Sequence, residues 1–75
     1  MDKQQIQEQI NQIQDRFKEV LKTENNFRRF SQLGELGQET SSNQVIPKEI
    51  KDRILQRINE QQGSIVGILS LDNGY

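Results

Sequence analysis

The sequence predicts a mainly α fold: a long N-terminal helix, a polar loop, a second helix and a short apolar C-terminal tail. Three observations predict it. Ile6, Ile10, Ile13, Phe17 and Val20 recur at spacings of four, three, four and three, the seam rhythm of a coiled coil. No Gly or Pro interrupts the chain before Gly34. After Pro47, apolar residues return at Ile50, Ile54, Leu55 and Ile58, again with helical period.

The first helix is expected over about residues 3–33. Asp2 supplies a side-chain cap for its exposed N–H groups, with Gln5 three positions on as a capping-box partner. The residues between the seam positions are almost all polar, so the seam must be covered by something. Each of its residues gains about 1.5–3 kcal/mol once buried. The seam fades at Glu24, Asn25 and Asn26, and the apolar spacing changes to Phe27, Phe30, Leu33 and Leu36. Thr23–Asn26 therefore reads either as a bend or break, or as the wet face of one continuous helix. Leu33-Gly34 reads as a helix C-terminus, with glycine at the left-handed cap position.

A polar loop is expected over about residues 34–45, a segment rich in Gly, Gln, Ser, Thr and Asn. The second helix is expected over about residues 47–62. Pro47 suits its first turn, because the N–H that proline lacks has no helical partner there. Gly63 marks its end. The tail, residues 64–75, is β-branched, uncharged up to Asp72, and apolar on both faces when drawn as a strand. With no second strand to pair it, it pairs with another copy or with a partner's sheet edge, packs over the helices as an arm or helical turn, or stays disordered. The residues in question are Ile65, Val66, Ile68, Leu69 and Leu71.

Composition narrows the function classes. The chain has 75 residues, enough for one small domain over residues 1–75 with a marginal core. It contains no Cys and no His, which removes disulfides, thiolate or imidazole metal sites and the commonest catalytic groups. Only 31% of residues are hydrophobic, so the register of those few residues must specify the fold. The net charge of −1 gives no global case for nucleic acid or an anionic membrane. No apolar run approaches the roughly 20 residues of a membrane span. The opening residues have no signal-peptide core, and a cytoplasmic location is the expectation.

Catalytic, cofactor-binding and metal-binding residues are therefore not expected. The carboxylates sit at spacings typical of a wet helix face, as with Asp15 and Glu19. Gly34 and Gly37 follow a helix instead of preceding one, the wrong order for a phosphate cradle. The most distinctive polar cluster is Phe27-Arg28-Arg29-Phe30. Arg28 and Arg29 are candidate anion contacts. The simpler reading puts both phenylalanines in the core with the arginines extending outward.

These features predict a non-enzymatic protein–protein interaction module: a homo-oligomeric helical adaptor or regulator that docks onto a protein partner. The seam residues Ile6, Ile10, Ile13, Phe17 and Val20 would form the oligomer interface, and the tail a second docking surface. One alternative is a small nucleic-acid or nucleotide-binding regulator using the Arg and Lys residues between 16 and 29. Another is an assembly subunit of a larger particle.

Overall fold

The computed structural model describes residues 2–72, and side chains through residue 70. The fold is mainly α, as expected, but is built of three helices: α1 (Lys3–Leu21), α2 (Asn26–Ser42) and α3 (Lys48–Asp72).

Asp2 caps α1 by accepting a hydrogen bond from the Gln4 backbone N–H at 3.2 Å. The helix ends where the seam ends. Asn25 then starts α2, its side chain accepting from the Arg28 N–H at 2.9 Å. The chain thus breaks between Leu21 and Asn26: α1 ends with Lys22 as its cap, and Asn25, a weak helix former with a capping side chain, starts the next helix. Arg29 closes the corner. Its guanidinium donates to the Thr23 carbonyl and to Asn26 Oδ1, both at 2.9 Å. Thr23 Oγ1 adds a 2.7 Å bond to Gln32 across the corner.

Helix α2 does not stop at Gly34. It runs through Gly34 and Gly37 to Ser42, across most of the segment expected to be a loop. Glycine in a helix interior costs about 1 kcal/mol relative to alanine. That cost is outweighed here, because Leu33, Leu36 and Thr40 share one face and are fully buried. The glycines lie on the neighbouring face, against α3. A Cβ on Gly37 would already touch Ile58 and Leu55 at 3.8 Å, and one on Gly34 would meet Gln62 at 3.5 Å. Buried Thr40 satisfies its own hydroxyl by donating to the Leu36 carbonyl at 2.8 Å.

The true loop is short, residues 43–47, and Asn43 organises it. Its Oδ1 accepts from the Val45 and Ile46 N–H groups at 2.8 and 3.0 Å. Its amide donates to Gln9 of α1 at 3.0 Å. Ile46 is driven into the core, and the Pro47 carbonyl accepts the first bonds of α3, from Ile50 and Lys51.

Helix α3 passes through Gly63 without a break. Of the forms open to the tail, a strand or a packed arm or helical turn, the structure shows helix through residue 72, as the last turns of α3; residues 73–75 lie outside the described residues. The reason is positional. Ile58, Ile65 and Leu69 fall seven and four residues apart on one helix face, and Ile65 is only 1% exposed. Burying that face outweighs the β propensity of the segment. Nothing lies within 4 Å of a Cβ added at Gly63 or Gly67. Gly63→Ala is therefore expected to raise stability by about 0.4–1 kcal/mol, measured as the urea midpoint. A glycine cap at that position would give the opposite sign.

The helices alternate in direction. Gln9 meets Asn43 and Thr23 meets Gln32, so α1 and α2 are antiparallel. Gln62 reaches the Phe30 carbonyl and Gly37 faces Ile58, so α2 and α3 are antiparallel too. Helix α2 packs against both neighbours, while no Cα of α1 comes within 8 Å of α3. The core consists of Ile13, Leu33, Leu36, Ile46, Ile58 and Ile65. The body is elongated, about 50 × 20 × 14 Å.

Candidate functional site: an apolar groove between the outer helices

Because the backbones of α1 and α3 both approach α2 more closely than they approach each other, a groove of about 640 Å³ lies between them. Its walls come from the two sequence patterns that predicted the helices. Helix α1 contributes Ile10, Ile13 and Phe17, and α3 contributes Ile50 and Ile54. Ile13 lies at the bottom, 7% exposed. Ile10, Phe17, Ile50 and Ile54 are only partly buried and pack against the core from its open side. The seam of α1 is thus half covered by its own chain and half open.

The rim is charged. Lys18 lies on the α1 side; Arg53, Arg57 and Glu60 lie on the α3 side. Among the described residues, the ion pairs are Arg16 with Glu39 and Lys22 with Glu19. Neither involves the three rim cations.

The structure distributes the other sequence candidates differently. Ile6 and Val20 are half-buried on α1, and Val20 packs against the core. Of the tail residues, Ile65 is buried and Leu69 half-buried, so neither is available as a docking strand. Val66 and Ile68 are exposed. Leu71 belongs to the last turn of α3, and its side chain lies outside the described residues.

Phe27 and Phe30 are not core residues: Phe27 is 72% exposed and Phe30 38%. The simple reading of the aromatic–arginine cluster holds for Arg28, which is exposed, and fails for Phe27 and Arg29. Arg29 turns in to hold the corner, and Phe27 turns out. Arg28 is exposed, but the Arg29 guanidinium is occupied by Thr23 and Asn26, so the two do not form a ready anion clamp. No group of three or more acidic residues suited to a metal is found among the described residues. No helix among them is long and apolar enough to cross a membrane.

No family model, curated protein or solved structure matches this chain. The groove, with its basic rim, is therefore read on its own chemistry. The sequence identified one wall, the α1 seam, and placed Lys18 among the basic residues of the nucleic-acid alternative, but it did not mark Ile50, Ile54, Arg53 and Arg57 as site residues. Their spacing on α3 was visible. Ile50 and Ile54 were expected to cover the α1 seam, in the same chain or in another copy; that they form the facing wall of a half-open groove depends on the three-helix path, which the misplaced helix ends at Gly34 and Gly63 concealed.

Proposed function

We propose that this chain is a non-enzymatic protein–protein interaction module, an adaptor or regulator whose working surface is the groove between α1 and α3. The observation that carries this reading is the set of half-buried apolar side chains, Ile10, Phe17, Ile50 and Ile54, lining a groove that the chain's own helices leave open. Partly covered apolar walls with a polar rim are the usual form of a binding patch.

A photo-reactive residue placed on α1 tests it. Gln14 lines the groove and Gln12 does not, and both are exposed. In native lysate, p-benzoylphenylalanine at position 14 is expected to give a discrete protein adduct that the same group at position 12 does not. Identical products from both positions, or none from either, would contradict the reading.

Self-association is a second reading, supported by a different surface. Phe27 and Phe30 begin α2, and Val66 and Ile68 lie near the end of antiparallel α3, so all four sit toward one end of the body. In this reading Val66→Glu combined with Phe27→Glu converts an oligomer to a monomer of unchanged helicity, measured by light scattering. A wild-type chain that is monomeric at millimolar concentration would rule it out.

A further inference from the structure

We propose that the α1–α3 groove takes an amphipathic helix whose apolar stripe is flanked by Asp and Glu. This rests on the docking reading above and names the partner's chemistry. Three observations lead to it.

The first concerns the backbone. The groove walls are helices, whose N–H and C=O groups are already bonded within each helix. They offer no edge to an extended peptide, which would bring unpaired backbone groups into an apolar trough. An occupant must arrive with its own backbone satisfied, and a helix does so. The groove-lining residues of α3 span positions 50–60. At 1.5 Å per residue that is about 15 Å, room for roughly three turns of a partner helix.

The second is charge. The groove is lined by three cations, Lys18, Arg53 and Arg57, against the single carboxylate of Glu60. Elsewhere the balance is the reverse, since the whole chain carries 10 cations and 11 carboxylates. The positive potential is thus local to the apolar trough. A helix with carboxylates beside its apolar stripe would place them against Lys18 on one rim and Arg53 and Arg57 on the other.

The third argues against a second copy seated face to face. Such a copy would bring its own Lys18, Arg53 and Arg57 into the same space, where like charges oppose docking.

The test uses the full chain and two fluorescein-labelled helical peptides with the same leucine stripe, one flanked by Glu and the other by Lys. Binding is read by anisotropy at low and high salt. The Glu peptide is expected to bind about tenfold or more tightly than the Lys peptide, the sum of several rim charge pairs. The preference should shrink as salt rises. It should invert in the triple variant K18E/R53E/R57E. It should survive in K3E/R28E/K48E, which changes net charge equally outside the groove. Since the chain is net negative, nonspecific attraction would favour the Lys peptide instead. Equal affinity for both peptides would overturn the charge selection while leaving a docking groove in place. No binding of either peptide would overturn both. A wild-type dimer that Ile54→Asp dissociates would give the groove to a second copy and overturn the proposal.

Discussion

Ile13→Asp is expected to leave the chain largely unfolded. Ile13 is 7% exposed and is the one residue of the α1 seam in the buried cluster, with Leu33, Leu36, Ile46, Ile58 and Ile65 around it. A carboxylate there loses its water without gaining a partner, which costs several kcal/mol, about 3–5 when a buried charge is left unpaired. Small domains hold only about 0.05–0.15 kcal/mol per residue in total. The substitution therefore removes most of the margin. Gln12→Asp, one residue earlier but exposed, changes the same net charge and is expected to shift stability by less than about 0.5 kcal/mol. Thermal melts followed by circular dichroism at 222 nm separate the two. Equal melting temperatures would mean that α1 is not packed on α2.

Leu36→Ala carries the second large effect. Leu36 is 0% exposed, on the one helix that packs against both neighbours. Truncating it removes three carbon atoms and leaves a cavity bounded by both interfaces, for a loss of about 2–5 kcal/mol in urea unfolding. Phe27→Ala removes a larger side chain from a position 72% exposed, and its loss should stay within about 0.5 kcal/mol. Size alone predicts the reverse order. A Phe27→Ala loss as large as that of Leu36→Ala would place the corner of α2 in the core, contrary to the fold described here.

The parts of this fold legible in the sequence are those where local pattern and tertiary burial agree. The α1 seam and its Asp2 cap follow from spacing and capping chemistry alone, whereas the first helix, expected to reach residue 33, could be read at Thr23–Asn26 either as broken or as continuous, and it ends at Leu21. Asn25 was visible as a weak helix former, and the structure shows its positive role as the cap of α2. Where local preference and burial disagree, burial decides, and the sequence misleads. Gly34, Gly37 and Gly63 all carry the composition of helix ends, yet each sits inside a helix. Gly34 and Gly37 lie where α2 meets α3, beside a buried Leu33–Leu36–Thr40 face. Gly63 falls between Ile58 and Ile65, both buried.

The tail shows the same conflict. Its β-branched composition favours a strand, while the spacing from Ile58 through Ile65 to Leu69 suits a helix. That spacing is present in the residues, but Gly63, between Ile58 and Ile65, has the character of a helix stop and masks it. The aromatic pair fails for a different reason. Phe27 and Phe30 lie three apart, as core residues do, but the corner needs Arg29 turned inward, and that turns Phe27 out. The groove itself could not be read from one helix at a time. It exists because the backbones of α1 and α3 both lie against α2 and stay more than 8 Å apart from each other, a property of the path between helices.

The groove must stand open in the free chain for any of its proposed chemistry to apply, and isoleucine methyl relaxation measures this directly. With a soluble gadolinium chelate added to the full chain, the methyls of Ile10, Ile50 and Ile54 are expected to relax strongly. Those of Ile58 and Ile65, which are 2% and 1% exposed, should be nearly unaffected. Uniform protection of all five would mean that the trough is closed by the chain itself or by another copy, and would contradict the account.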